Sequence, residues 1–412
     1  MTSVTRRQDG TIDLLDPDNF TERMPYEELG ELREGARAHW FARDDGDGFW
    51  VLSRYEDVVH VSRHPELFSS WQNGAIVRRR VQMLEDAEAA LAGQRLMMLN
   101  MDPPDHTKLR GIVQKAFTPR RVLGLEPRLR ELTNEIIDSA LEKGEGDFVP
   151  DVAAELPLEA IAELMGIPLE DRRKIFDWSN QMIGSEDPDF QTDAQGEQAA
   201  AGQIYLYANE MAEARRKEPR EDIITTLIHA EVDGEKLENL EFEMFFVLLA
   251  VAGNETTRNA ISHGMLGFLE HPDQWERLRA DRSLLDSAIE EVLRWATPVM
   301  QFQRTATQDL RIGEQDIAAG DKVAIYYSTA NRDPEVFDDP DRFDIGRDPN
   351  PHIAFGGGGP HFCLGANLAR LELRLMFEAL VERMPELEPT GPVRRLRSSF
   401  INGIKAMPVR YQ

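Results

Sequence analysis

The stretch richest in chemistry reads Phe355-Gly-Gly-Gly-Gly-Pro-His-Phe-Cys363-Leu-Gly365-Ala-Asn-Leu-Ala-Arg370 and holds the only cysteine of the chain. Glycines let a backbone adopt positive φ and lie close against a flat ligand. A helical pattern starts directly afterwards, so Cys363 falls just before a helix N-terminus. There the free N–H groups and the dipole favour a thiolate over a thiol. Such N–H groups would also set the potential of an iron that the sulfur held. Other chemistries suit the stretch less well. A phosphate loop wants Gly-Lys-Ser/Thr after the glycines, and Pro-His-Phe-Cys follows instead. A zinc site wants several Cys/His ligands at finger-like spacing, and only His361 lies beside this cysteine. A cysteine hydrolase stays open, with His361 or a more distant histidine as base, although nothing marks an oxyanion hole. A lone cysteine is most often a small buried hydrophobe, so its neighbours must carry the functional reading.

Three further constellations stand out. Ala252-Gly253-Asn254-Glu255-Thr256-Thr257 interrupts the most apolar segment of the chain. A buried Glu-Thr step is costly without partners, and glycine weakens a helix interior. Three unfavourable choices together point to function: Gly253 leaves a groove, and the Thr256 hydroxyl bonds either to a helix carbonyl or to something in that groove. Glu291-Val-Leu-Arg294 places a carboxylate and a guanidinium on one helix face; alone, such a pair is commonly a weak surface contact. Asp102-Pro-Pro-Asp-His106-Thr-Lys-Leu-Arg110 projects His106 and Arg110 from one side of a helix.

With these residues in place, the chain resembles the cytochrome P-450 superfamily. Its haem-binding loop, Phe-x-x-Gly-x-His-x-Cys-x-Gly followed by Leu-Ala-Arg, is matched in register by Gly359, His361, Cys363, Gly365 and Leu368-Ala369-Arg370. One departure is an extra glycine, which sets Phe355 eight residues before the cysteine where the pattern has seven. The resemblance implies haem b (iron protoporphyrin IX), with Cys363 as axial ligand and Phe355 and Gly365 beside it. It implies that His106, Arg110, Arg304 and His361 bind the haem propionates by charge-assisted contacts. It makes Glu291, Arg294 and Arg342, the last from Asp-Pro-Asp-Arg-Phe, a structural lock under the haem. It implies that Thr256 holds oxygen and water while Glu255 relays protons. The resemblance also implies ferredoxin and ferredoxin reductase as electron donors, and no Rossmann-type unit appears in the sequence. A basic docking face for them is expected among Lys115, Arg120, Arg121 and Arg370.

Several stretches look like actinobacterial enzymes that hydroxylate sterol side chains and methyl-branched lipids. They are Val251 to Gly264, Arg294-Trp-Ala-Thr-Pro-Val299, Asp348-Pro-Asn-Pro-His352 and Asn402-Gly-Ile-Lys405. Substrate contacts are expected from the 71–97 segment, from the Phe246 to Gly253 helix face with Val251 and Gly253, from Val299 to Phe302 with Val299 and Met300, and from Phe400 and Ile401. These are mostly apolar, hence an apolar substrate such as a cholesterol-like side chain or a branched lipid. A monooxygenase of a terpene or other secondary metabolite is the alternative within this chemistry. A non-catalytic haem-binding or electron-transfer protein is the alternative outside it, and the Glu255-Thr256 pair argues against that.

The elements that must position these groups are mainly helical. The pattern predicts helices over 26–38, 55–63, 106–143 with a break at Thr118-Pro119, 153–165, 169–183, 197–217, 222–231, 282–295 and 364–384. The span Asn239 to Glu270 is helical for ~30 residues, ~45 Å, and its centre is apolar all round, which marks a helix through a large core. Strands are expected at 49–52, 310–312 and 322–327. A segment around 69–96, with three consecutive arginines, reads as a lid or a surface excursion. The fold class is therefore mainly α with a minor β part, a cytochrome P-450 fold with haem between the long helix and the cysteine loop, in one domain over 1–412.

Composition agrees. At 412 residues, 41% hydrophobic and 29% charged, the chain can bury a large core and stay soluble. Acids outnumber bases 74 to 47, a net charge of −27, which disfavours nucleic acid and anionic lipid. A single cysteine fits a reducing cytosol. The N-terminus lacks an apolar stretch, and the longest apolar run, Met244 to Ala252, is too short to span a bilayer. The expected location is the cytoplasm.

Overall fold

The computed structural model describes residues 4–43, 47–77, 87–183, 186–190, 194–232 and 235–412. Helices dominate. In chain order they are α1 (Tyr26–Glu34), α2 (Tyr55–Arg63), α3 (Ala87–Arg95), α4 (Asp105–Val113), α5 (Pro119–Lys143), α6 (Glu155–Met165) and α7 (Arg172–Ile183), followed by α8 (Ala194–Lys217), α9 (Ile223–Ile228), α10 (Asn239–Glu270), α11 (Pro272–Ala280), α12 (Leu285–Ala296), α13 (Tyr327–Ala330) and α14 (Ala366–Arg383). No helix among the described residues is long and apolar enough to cross a membrane.

The long helix α10 organises the rest. Its 32 residues open with a capping box between Glu238 and Glu241, which satisfies two of the free N–H groups. Its N-terminal half, up to Ala250, packs into one apolar cluster with α4, α6, α8 and α9. Its C-terminal half, from Ala260, packs into another with α5, α12 and α14. Two glycines set these approaches. A Cβ on Gly253 would stand 2.6 Å from Ile161 of α6, and one on Gly264 would stand 2.6 Å from Phe377 of α14. The polar run Asn254 to Asn259 thus lies where the two cores part.

A five-stranded sheet flanks the helices, in the order Ala38–Ala42, Gly48–Leu52, Lys322–Tyr326, Gln301–Ala306 and Phe68–Ser69. Only the pairing of Gly48–Leu52 with Lys322–Tyr326 is parallel. The helical pattern expected to run on to Ala38 ends at Glu34, and Ala38 begins a strand opposite Leu52. The helix expected over 222–231 is only α9, because Glu231–Val232 turns back to pair with Glu235–Lys236. The strand Gln301–Ala306 and the nine-residue helix α11 have sequences too short and too mixed for periodicity to declare. The three arginines at 78–80 lie outside the described residues.

Candidate active site

A cavity of about 250 Å³ opens between α10 and the cysteine loop. The side of α10 that faces it carries Phe245, Leu248, Leu249, Ala252, Gly253 and Thr256, a spacing of three and four that makes one helical face. Val251 and Glu255 fall off that face and do not line the cavity. Gly253 borders it, yet the room left by its missing side chain is filled by Ile161, so it serves helix packing as well as the groove. The Thr256 hydroxyl donates to the Ala252 carbonyl at 2.8 Å, the backbone option of the two expected. Glu255 is buried, paired with Arg258 and held by Asn259 Nδ2 at 3.1 Å, while its second oxygen has no partner. Arg258 in turn reaches Asn180 Oδ1 on α7 at 3.4 Å.

Cys363 sits at the opposite wall, free of any disulfide and open to the cavity. Its own N–H donates to the Phe355 carbonyl at 2.9 Å, so the extra glycine is absorbed inside a closed loop. Burial pushes the thiol up; N–H groups of Gly365 and Ala366, at the start of α14, and the Arg110 and Arg370 cations pull it back toward the thiolate. The glycines divide their work. Gly356 and Gly365 border the cavity. Gly357 and Gly359 instead press on α2, where a Cβ would come 2.7 Å from Ser62 Oγ and 2.1 Å from the Ser62 carbonyl oxygen. Gly359, at φ 75°, also needs the left-handed region.

His106, Arg110, Arg304 and His361 converge on one end of the same cavity. The His106 and His361 rings lie 4.2 Å apart. Neither ring nitrogen of His106 has a partner among the described residues, and burial, followed by the charges of Arg110 and Arg304, pulls its pKa down to about 4. Burial holds His361 well below its ordinary value, and the same two arginines and His106 push it the same way. Arg304 is buried, with the Gln303 carbonyl as its hydrogen-bond acceptor. Arg110 donates to the Phe362 carbonyl at 2.6 Å. Among the described residues no carboxylate bonds to these four nitrogenous side chains, which form a ready seat for anions.

The predicted lock is built with one change. Glu291, fully buried, accepts two bonds from Arg294 at 2.7 and 2.8 Å. The second cation on it is Arg347 at 3.2 Å, not Arg342. Arg342 turns its side chain to the surface and contributes its carbonyl, which accepts from Arg294 and Arg347. Both arginines lie in the same Asp-Pro-rich run, and only the path of the backbone separates them.

Of the expected substrate contacts, Gly253 and Val299 line the cavity; Val251, Met300, Phe400 and Ile401 do not. Strand alternation turns Met300 away from Val299 into the neighbouring core. Ile401 pairs with Val299 by a β-bridge, and the Phe400 ring packs edge-on against Phe302 at 5.7 Å, so both support the wall from behind. Phe117 on the loop after α4 and Ile161 on α6 line the cavity unforeseen, since their apolar patterns read as ordinary core. So does Glu372 of α14, whose Oε2 lacks a hydrogen-bond partner among the described residues and whose carboxyl burial drives well above its usual range. Arg370 is engaged by Glu290 at 2.6 and 2.8 Å and is only partly exposed. Lys115, Arg120 and Arg121 are exposed and, among the described residues, form no ion pair.

Comparison with known proteins agrees with this geometry. The family model described as Cytochrome P450 matches residues 37–398. A "Steroid C26-monooxygenase" of Rhodococcus jostii is 49% identical over 407 residues, covering 97% of this chain and 85% of the relative. A "Methyl-branched lipid omega-hydroxylase" of Mycobacterium tuberculosis is 44% identical over 370 residues, covering 89% of this chain and 85% of the relative. The crystal structure of a Mycobacterium marinum cytochrome P450, CYP268A2, in complex with pseudoionone superposes with a TM-score of 0.91 at 36% identity over the whole of both chains. With a family match across most of its length and an apolar cavity closed by its only cysteine, this chain belongs to the cytochrome P450 family and is a haem-dependent monooxygenase.

Proposed function

We propose that this enzyme hydroxylates the side chain of a steroid, or the chain end of a methyl-branched lipid. The observation that carries this reading is the cavity itself: an apolar chamber running from Thr256 to Cys363 and walled by Phe245, Leu248, Leu249, Phe117 and Val299. Such a wall offers a hydrocarbon chain no polar hold, so a substrate enters by the area it buries. The names of the relatives, at 49% and 44% identity, point to the same two substrate classes. Cholest-4-en-3-one, cholesterol, a methyl-branched fatty acid and pseudoionone are titrated into the ferric protein while the spin state is followed. The sterol or the branched acid is expected to displace the iron's water at micromolar concentration. A response to pseudoionone alone favours a terpene substrate and overturns this reading.

The residues fit a haem. Unpartnered nitrogens of His106, the buried Arg304 and the cationic end of the cavity suit two propionates, and the sulfur faces the cavity. In this reading Cys363 would hold the iron, and His106, Arg110, Arg304 and His361 would hold the propionates. Bound haem supplies the activation of O₂ and the transfer of one oxygen atom to a C–H bond. The chain supplies the rest. Its apolar walls exclude water and hold the hydrocarbon. Thr256 holds a proton donor at the α10 side of the cavity, exchanging its bond to Ala252 for one to water. Glu255 brings protons from solvent when its pair with Arg258 opens. Glu291, Arg294 and Arg347 brace the loop beneath. The electron donor is taken as a ferredoxin served by a reductase, docking on Lys115, Arg120 and Arg121, and the enzyme as cytoplasmic.

A further inference from the structure

The second carboxylate of α12, Glu290, has no part in the lock. It faces the other way from Glu291 and collects two groups from distant segments. Arg370 of α14 binds it in a fork, Nε at 2.6 Å and the terminal nitrogen at 2.8 Å. His352 reaches it through Nε2 at 2.9 Å. The Ala354 N–H donates to His352 Nδ1 at 3.3 Å, which leaves Nε2 as the donor to Glu290. Both partners of Glu290 then touch one ring. The Arg370 guanidinium lies over the face of Phe355, 4.6 Å from its centroid, and the His352 ring stands 6.0 Å from it. Phe355 lines the cavity, and its carbonyl accepts the Cys363 N–H at 2.9 Å. A chain of contacts therefore runs from a half-exposed ion pair to the residue that holds the cysteine's own amide.

We propose that Glu290, Arg370 and His352 form a positioning cluster that fixes the Phe355 ring beside Cys363 and sets the electron affinity of the bound haem through the balance of the Arg370 cation and the Glu290 anion. The inference rests on Cys363 being the axial ligand. The physics is a matter of sign. A cation near the sulfur stabilises added charge on the iron–sulfur unit, and an anion opposes it. Here the two nearly cancel, because the carboxylate is clamped onto the cation. Removing either one uncovers the other. A role in folding alone makes both removals act alike.

The test uses the haem-loaded protein and the ferric/ferrous potential as readout. Glu290→Gln keeps the shape but uncovers the Arg370 charge, so reduction is expected to become more favourable by about three- to tenfold, which is about 30 to 60 mV for one electron. Arg370→Gln uncovers Glu290, and a shift of similar size in the opposite sense is expected. His352→Gln retains a donor to Glu290 and is expected to move the potential least. The spectrum of the reduced carbonyl adduct is recorded for each protein. A parent that lacks the thiolate-type band removes the ligand assignment. A parent and variants that keep that band, with Glu290→Gln and Arg370→Gln shifting in the same direction or not at all, overturn the cluster.

Discussion

Thr256 shows how one side chain serves two states. Its bond to the Ala252 carbonyl satisfies the hydroxyl inside the helix. The same rotor faces the chamber, so a water arriving there can take over the contact. Thr256→Ala removes the hydroxyl with little change of volume. Substrate affinity is expected to stay within about twofold, while product formed per electron pair falls by about tenfold or more as hydrogen peroxide appears instead. Product yield and peroxide, measured against NAD(P)H consumed, check this; full coupling takes Thr256 out of proton delivery. At this scale the sequence was most legible. The spacing of Glu291 to Arg294, and of His106 to Arg110, fixes which face of a helix each side chain shares. Arg347 was not legible, because Asp-Pro-rich backbone follows no period that tells one arginine from another five residues on.

Elements meet through missing atoms as much as through present ones. Gly253 and Gly264 let α10 approach α6 and α14 more closely than any other residue would allow. Gly253→Ala drives a methyl into Ile161, at a cost of about 1–3 kcal/mol, and lowers the thermal midpoint by several degrees. Ile161→Ala in the same chain makes room for that methyl. Thermal melts of both single variants and the double are expected to show a double variant more stable than the two losses added together, by more than about 0.5 kcal/mol. Strict additivity means that the contact does not set the approach of α6. The length and limits of α10 could be read from its all-round apolar centre and the polar residues before it. The glycine pairings could not, since a glycine records nothing about which helix fills its place. The lining split likewise: the α10 face follows its period, whereas Met300, Phe400 and Ile401 were misplaced because strand polarity and β-bridges are decided by partners far along the chain.

Across the whole molecule, charge is spread unevenly. The net charge is −27, yet Lys115, Arg120 and Arg121 stand exposed after α4, the helix whose Arg110 reaches the cysteine loop. An acidic electron donor is repelled by most of the surface and drawn to this patch, which raises its rate of productive encounter. Reversing two of these charges, as in Arg120→Glu with Arg121→Glu, is expected to slow reduction by about tenfold at low salt and far less at high salt. Substrate binding stays unchanged. Stopped-flow reduction at two ionic strengths decides it, and an unaltered rate excludes the patch.

The wall facing α10 is spliced from two pieces of chain about a hundred residues apart: Val299, which meets the guest, and Ile401, bridged to it from behind, with Phe400 against Phe302. The rear piece does not line the cavity. Enlarging or shrinking it narrows or widens the chamber while the reacting groups stay where they are. Appetite and chemistry therefore reside on separable parts of the polypeptide, and a lineage of such enzymes can drift toward new molecules by editing Phe400 and Ile401.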